Sequence, residues 1–436
     1  MLHDEKSSKF KLETSNVPFE SGGEPLHSRR FAKLERTTSI AERLECGASA
    51  PLSKVQLRIR VTAILLPYQD RLSFSIMKRF LIHIAVITLC FFSAQTTRSC
   101  TTFVLEDGQR IYLGRNLDWD WEDGMVVVNA RNVHKRALVT AENALKWTST
   151  LGSVTFNQFG RDMPYGGMNE AGLVVENMWL DGTKYPDPDA RPEVNMLQWI
   201  QYQLDTCSNV AQVIASDKAV RLENTAVRAR IHYLVCDSKG DCATIEFLDG
   251  KMSVHQGKDL PYRALANNTY DSSTAFARAH PEKEASGKVD PPDSLPRFCR
   301  AATRAQTFKA AKAANQDVAY AFDTLEQVRQ GTYTAWQIVY NVSDRQIDFR
   351  TRSNTQKKHV DLKSLNFACG RPTQFADIKS NPTSSGGLEF QTLEEPAHRK
   401  YLTAFFSQDS LKASLGDFSS MLEPMLALQR AYTCGE

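Results

Sequence analysis

Cys100 is the residue of this sequence whose position gives it the clearest chemical use. It stands directly after a segment typical of a removable presequence, and a β-type run follows it. Cleavage before Cys100 would place a thiol and a free α-amine on one residue. An amine with a reference pKa of about 7.7–8.0 can accept the thiol proton near neutral pH. We therefore predict a nucleophile that carries its own base; the alternative is a cysteine that merely follows a presequence.

Arg115 and Asp118 lie 15 and 18 positions after Cys100. Asp107-Gly108 between two β-type runs predicts a hairpin, which would fold their strand back beside Cys100. A guanidinium near the thiol favours the thiolate, and a carboxylate could orient the α-amine. The alternative is an exposed ion pair at the end of a strand.

With these residues in place, the sequence resembles the choloylglycine hydrolase and penicillin V acylase family of N-terminal nucleophile amidases over most of 100–370. The resemblance depends on six short motifs that occur in the family's order. They are Cys100-Thr101, Gly114-Arg-Asn-x-Asp118, Gly167-Met-Asn-Glu-Ala-Gly-Leu173, Leu265-Ala-Asn-Asn268, Ser294-Leu-Pro-Arg-Phe-Cys-Arg300 and Gly331-Thr-Tyr-Thr-Ala-Trp-Gln-Ile-Val-Tyr340. It implies an α+β fold, a four-layer αββα sandwich of two antiparallel sheets covered by helices. It also implies autocatalytic processing and hydrolysis of a linear amide C–N bond.

The resemblance assigns roles residue by residue. Cys100 is the nucleophile, with Arg115 and Asp118 as its neighbours, Asn267 as the side-chain donor to the oxyanion and Arg297 as a further positioning charge. The family's usual Thr before the oxyanion Asn is Ala266 here, and its usual Pro is Thr269. These departures leave Asn268 as the alternative to Asn267, and Arg300 is the alternative to Arg297.

Three tryptophans resemble the aromatic-lined variant of the family's pocket: Trp119, Trp121 and Trp179. The resemblance also places the backbone N–H of Trp179 in the oxyanion hole. The alternative for all three is an ordinary core position. Aromatic walls suit flat or flexible acyl groups, so we expect a small-molecule amide with an apolar acyl group. Penicillin V or an acyl-homoserine lactone ranks above a conjugated bile salt.

The elements that must position these residues follow from local patterns. Paired strands are predicted around 101–115, 230–255 and 334–351. Helices are predicted over 194–206, 208–215, 298–315 and 318–328, the last with Asn315 or Asp317 as its N-cap, and a helical tail follows 380–387. Strand pairs interrupted by helices indicate sheets covered by helices.

The segment 77–99 has a basic head, a mainly apolar run of thirteen residues over 80–92 and a small, polar end. This is the layout of a secretory signal peptide, and it is shorter than the ~20 residues that span a membrane. We therefore expect a periplasmic or secreted protein without a stable membrane anchor. Residues 1–76 are expected to be an untranslated or disordered extension, and 100–436 one amidase domain; a translated regulatory extension is the alternative.

Seven cysteines follow the signal segment, an odd number that in an oxidising compartment suggests up to three bridges and a free thiol. Cys236 and Cys242 flank a turn and are the favoured local pair; the alternative is that all seven are buried thiols. No Cys or His cluster has metal-ligand spacing, and we expect no metal or cofactor.

Residues 100–436 carry 38 Lys and Arg against 41 Asp and Glu, which argues against a nucleic-acid partner. We expect a homo-oligomer. Two other classes compete with the amidase. A papain-like protease needs a His partner in a segment of its own type, and none of the histidines has one; a secreted binding domain would leave the clustered Arg, Asp and Asn residues unexplained.

Overall fold

The computed structural model describes residues 100–223, 229–280 and 294–435 of the 436-residue chain. The predicted signal peptide over 77–99 and the extension over 1–76 lie outside the described residues. Within the described ranges, no helix is both long and apolar enough to cross a membrane.

The described chain forms strands and helices with the following bounds. The strands are β1 (Thr101–Asp107), β2 (Arg110–Asp118), β3 (Met125–Asn129), β4 (Val133–Arg136), β5 (Lys146–Thr148), β6 (Ser153–Asn157), β7 (Pro164–Asn169), β8 (Val174–Trp179), β9 (Glu193–Asn195), β10 (Arg221–Glu223), β11 (Ile231–Cys236), β12 (Cys242–Leu248), β13 (Lys251–Gln256), β14 (Ala264–Leu265), β15 (Thr334–Asn341), β16 (Gln346–Thr351), β17 (Lys358–Asp361), β18 (Gln374–Asp377), β19 (Gln391–Thr392) and β20 (Thr433–Cys434). The helices are α1 (Met196–Thr206), α2 (Val210–Ala215), α3 (Tyr270–Ala279), α4 (Ser294–Thr307), α5 (Ala314–Gln327), α6 (Glu395–Phe406), α7 (Asp409–Leu415) and α8 (Leu422–Arg430).

Two antiparallel sheets form the centre of the fold. The first has the strand order β14-β1-β2-β15-β16-β17, and the second has the order β13-β12-β11-β8-β7-β6-β3-β18-β19. The predicted hairpin joins β1 to β2, and Gly108 in its turn has a φ of 64°, a conformation that glycine adopts without strain. Aromatic side chains fill the space between the sheets; the ring of Phe156, for example, lies 5.2 Å from that of Phe349.

Helices cover the outer faces of both sheets. α4 and α5 pack on β1, β2 and β15, whereas α1 packs on β7 and β8. The resulting order of layers is helix, sheet, sheet, helix, which confirms the predicted αββα sandwich.

One helix prediction is wrong at its boundary. The Ala-rich run predicted as a helix over 298–315 is helical only to Thr307, and α5 begins at Ala314. Carboxylates provide the reason: the backbone N–H of Ala310 donates to Asp107, and that of Ala311 donates to Asp317. These side chains replace the helical acceptors. The predicted caps are also wrong, because α5 begins after Ala313, whose side chain caps nothing.

Two disulfides occur in the described chain. Cys236–Cys242 is the predicted local pair, and Cys369–Cys434 closes a separation of 65 residues. Cys100, Cys207 and Cys299 are free thiols among the described residues, so the structure has two bridges rather than three. The second bridge holds the end of the predicted helical tail, where Cys434 in β20 also pairs with Val133 in β4.

Candidate active site

Strand register brings Cys100 to the centre of the site. Thr102 in β1 pairs with Arg115 on one side and with Leu265 in β14 on the other. Two residues back along β1, Cys100 therefore lies beside the segment that carries Asn267. Because side chains alternate between faces, Cys100 and Arg115 share the face that is turned toward the second sheet.

The thiol of Cys100 is buried beside a guanidinium. Its Sγ lies 4.0 Å from Arg115 Nη2, and Cys100 is 6% exposed. Burial raises the pKa of the Cys100 thiol, and the Arg115 charge opposes that rise. The Asp118 carboxylate raises it further, whereas the Asp118 backbone N–H and the Arg297 charge lower it. The thiol therefore needs a base close by, although several groups stabilise its thiolate.

Glu176 completes this cluster, and the sequence analysis missed it. Its Oε2 lies 2.6 Å from Arg115 Nε, both side chains are fully buried, and the hydroxyl of Tyr340 donates to its Oε1. Burial raises the pKa of Glu176 to about 7, against the effect of Arg115 and of Tyr340. A carboxylate in the middle of the apolar run of β8 was a signal in the sequence, since buried charges are rarely left without a partner.

Asp118 lies at the end of β2 on the side of the helices. The hydroxyl of Thr334 donates to its Oδ1, and its Oδ2 accepts no hydrogen bond from the described residues. Burial raises the pKa of Asp118 to about 7, although the charges of Arg297 and Arg115 and the Thr334 hydroxyl pull it down. An acceptor oxygen thus remains available beside Cys100.

Arg297 links Cys100 to the amide of Asn267. This fully buried side chain of α4 donates from Nη1 to the carbonyl of Cys100, at 2.8 Å, and to the hydroxyl of Thr101. Its Nη2 donates to Asn267 Oδ1 at 3.0 Å. Because Oδ1 accepts this bond, the orientation of the Asn267 amide is fixed, with Nδ2 turned to the opposite side. Nδ2 donates one hydrogen bond to the carbonyl of Trp179, at 2.9 Å.

The residues of the two alternatives left open by the sequence have different contacts in the structure. Asn267, rather than Asn268, bonds to Arg297, and its backbone N–H donates to Ser294. Arg300 donates to the carbonyl of Gln327. Thr269, where the family has a Pro, caps α3 by accepting a hydrogen bond from Ser272.

The backbone N–H of Trp179 points toward the site. Leu180 donates its N–H to Arg230, on the side of β11, where Trp179 pairs with Ile231. Since antiparallel neighbours bond in alternation, the N–H of Trp179 projects from the other edge of β8. The carbonyl of Asn177 lies on that same edge and accepts a hydrogen bond from Arg115 Nη2, at 3.0 Å.

A narrow, mainly apolar cavity of about 50 Å³ opens beside the thiol. Two of the three predicted tryptophans line it: Trp119, which is buried, and Trp179, which is half-buried. Trp121 packs against the core and is not part of this wall. The lining residues are Cys100, Leu117, Asp118, Trp119, Phe159, Tyr165, Asn177, Trp179, Leu197, Ala229, Ile231 and Leu415.

This geometry agrees with the comparison with protein families. The model of the linear amide C-N hydrolases, choloylglycine hydrolase family, matches residues 100–375. The match covers more than half of the chain, and the chain belongs to this family.

One curated relative supports the assignment to this family. A penicillin V acylase of Pectobacterium atrosepticum is 31% identical over 193 residues, which are 40% of this chain and 50% of that protein. The match therefore spans about half the length of this curated relative.

Solved structures share the fold. A penicillin V acylase from Agrobacterium tumefaciens has a TM-score of 0.58 at 22% identity, covering 68% of this chain and 98% of that one. A variant of the conjugated bile acid hydrolase from Clostridium perfringens has a TM-score of 0.51 at 16% identity, covering 68% and 100%.

Proposed function

We propose that this protein hydrolyses a linear, non-peptide amide and that Cys100, freed as the N-terminal residue, is its nucleophile. The observation that carries the proposal is the position of the Cys100 thiol. It lies at the apolar cavity, 4.0 Å from Arg115, and Arg297 connects its backbone to Asn267. The start of the family match at this same residue supports it.

The α-amine of Cys100 supplies the base that the buried thiol needs. It takes the thiol proton, and the resulting ammonium donates to a nearby carboxylate, for which the unused Oδ2 of Asp118 is suited. Arg115 stabilises the thiolate before attack, while Glu176 holds the guanidinium in place. In an uncleaved chain the nitrogen of Cys100 belongs to a peptide bond and cannot accept this proton.

Attack of the thiolate on the amide carbonyl forms a C–S bond and places negative charge on the carbonyl oxygen. The second hydrogen of Asn267 Nδ2 and the N–H of Trp179 are the donors for this oxyanion. The C–N bond then breaks, the ammonium of Cys100 returns a proton to the leaving amine, and a thioester remains. Water, deprotonated by the same amine, hydrolyses the thioester and releases the acid.

The cavity supports an apolar acyl group. Trp119 and Trp179 lie where a ring or alkyl chain would contact them, and each aromatic contact contributes about 0.5–1.5 kcal/mol beyond burial. A rigid, hydroxylated steroid needs polar partners for its hydroxyl groups, and the lining of the cavity is mainly apolar. Penicillin V and acyl-homoserine lactones are therefore the proposed substrates, and a conjugated bile salt is the alternative.

The location belongs to this proposal as well. Two disulfides in the described chain fit an oxidising compartment. A signal peptide that ends at Ser99 would deliver the protein there and expose Cys100 in the same cleavage. We therefore propose a periplasmic or secreted enzyme.

A kinetic panel tests the function. Protein that begins at Cys100 should hydrolyse penicillin V and an acyl-homoserine lactone faster than glycine-conjugated bile salts, and Cys100→Ala should hydrolyse none of them. Trp179→Ala should reduce kcat/KM for penicillin V about tenfold, the equivalent of one aromatic contact. Equal turnover by Cys100→Ala, or faster cleavage of bile salts by the wild type, would overturn the corresponding part of the proposal.

A further inference from the structure

The helical tail reaches the proposed acyl cavity, although it lies beyond the residues that the family match covers. Leu415, the last residue of α7, is part of the cavity wall. Phe159, on the same wall, contacts the tail from behind, with its ring 4.9 Å from that of Phe405 and 5.3 Å from that of Phe418. A segment outside the matched region therefore helps to shape the site.

The tail is fastened on both sides of Leu415. Before it, the hydroxyl of Tyr401 in α6 donates to the carbonyl of Asn157, at 3.3 Å. After it, the disulfide between Cys369 and Cys434 holds the chain beyond α8. Gly416, the residue after Leu415, has a φ of 105°, a conformation that favours glycine. The chain therefore turns directly after Leu415.

Leu415 also lines a second, larger space. This groove has about 510 Å³ and is lined by the apolar residues Leu138, Val139, Phe418, Met421 and Pro424 and by polar residues that include Asp417. The inner cavity has only about 50 Å³. Because Leu415 lines both spaces, an acyl chain that runs from Cys100 into the groove would pass it.

We propose that this groove is the distal subsite for an aliphatic acyl chain and that Leu415 sets the chain length that the enzyme accepts. The inference rests on the proposed function for the position of the reacting carbonyl. The occupant follows from continuity, because Leu415 lines both the cavity at Cys100 and the groove, whose lining is more apolar than polar. Each methylene that enters the groove should raise kcat/KM up to about fourfold, the equivalent of about 0.8 kcal/mol.

The test is the ratio of kcat/KM for a decanoyl amide to that for the matching butanoyl amide. Leu415→Trp should block the passage and lower this ratio at least tenfold, and Leu415→Ala should raise it several-fold. Leu411→Ala is the matched control, because Leu411 is buried in the same helix but lines neither space. A ratio that stays within twofold in both Leu415 variants, or that changes equally in Leu411→Ala, would overturn the inference.

Binding separates this inference from the proposed function. Calorimetric affinities of decanoic and butanoic acid for the Cys100→Ala protein, with and without Leu415→Trp, need no turnover. The substitution should lower the affinity for decanoic acid at least tenfold and leave butanoic acid within twofold. If the wild type hydrolyses no amide, the function fails, but the binding ratio still decides whether the groove takes an acyl chain.

Discussion

Among single residues, Arg297 explains most about how the site is assembled. One guanidinium contacts the backbone of Cys100 and the side chain of Asn267, so the proposed nucleophile and the proposed oxyanion donor are held at a fixed spacing. The sequence motif named Arg297 but left it one residue before the helix predicted over 298–315, whereas α4 begins at Ser294. It could not show that this helix packs against β1, since that contact depends on the three-dimensional arrangement of the sheet.

Asn267→Ala should lower kcat by about 10²–10³ and change KM little, because the oxyanion exists only in the transition state. Steady-state kinetics with penicillin V measures this. Asn268→Ala is the control and should remain within a few-fold of the wild type. If the large loss occurs in Asn268→Ala instead, the assignment of the donor is off by one residue.

Asp118 gives the uncleaved chain a pH-dependent stability. Its pKa of about 7 in the folded chain exceeds the ordinary value of 3.8, so folding favours the protonated carboxyl. This contribution is fully present below about pH 4 and is lost as the pH rises through 7. Relative to Asp118→Asn, the uncleaved wild type should therefore lose free energy of unfolding between pH 4 and 7, by about 1.4 kcal/mol per unit of pKa shift.

Urea unfolding of both proteins at several pH values in this range measures the difference. A constant difference would show that the Asp118 carboxyl titrates normally in the uncleaved chain. Cleavage adds an ammonium at Cys100, so the same comparison on protein that begins at Cys100 should show a smaller pH effect.

At the scale of elements, the contact of β7 with β8 decides whether Glu176 can reach Arg115. A Cβ on Gly166 would lie 2.2 Å from the carboxylate carbon of Glu176, so only glycine leaves room for it. Gly166→Ala should displace the carboxylate and lower kcat at least tenfold. Gly182→Ala, where a Cβ would have no neighbour within 4 Å, should retain the wild-type kcat.

Kinetics and melting temperature together check this result. A Gly166→Ala protein that is folded and has the wild-type kcat would show that the position of Glu176 does not matter to catalysis. Glu176→Gln provides a second variant that keeps the shape of the side chain and removes its charge.

Local sequence patterns predicted which strands and helices exist better than they predicted the residues at which these elements begin and end. The Asp107-Gly108 hairpin and the strand pairs have local turn signals, and the structure has them. The helix over 298–315 stops early because Asp107, some 200 positions away in the sequence, accepts the hydrogen bond of Ala310. Helix propensity contains no information about such a distant partner.

At the scale of the whole molecule, the disulfide Cys369–Cys434 joins the tail to the second sheet. Loop-closure entropy for a separation of 65 residues predicts a loss of about 4 kcal/mol in the free energy of unfolding when both cysteines become Ala. The Cys236–Cys242 bridge closes only 6 positions and should cost about 2 kcal/mol in the same substitution. Urea unfolding measures both; a larger loss from the short loop would contradict the prediction.

The sequence motifs predicted the fold class correctly, and they named Cys100, Arg115 and Asp118, which the structure brings together, because those residues lie in short segments with a fixed local order. They did not identify Glu176, Thr334 or Leu415. Glu176 reaches the site through packing between the sheets, Thr334 through the pairing of β15 with β2, and Leu415 through the tail, outside every motif.

The proposed mechanism depends on the free α-amine of Cys100 as the base. Intact mass and turnover are determined in parallel for protein that begins at Cys100 and for protein that retains Ser99, with the same substrate and concentration. Turnover is expected only in the protein whose mass corresponds to a start at Cys100. A stable protein that retains Ser99 and hydrolyses the amide at the full rate would contradict it.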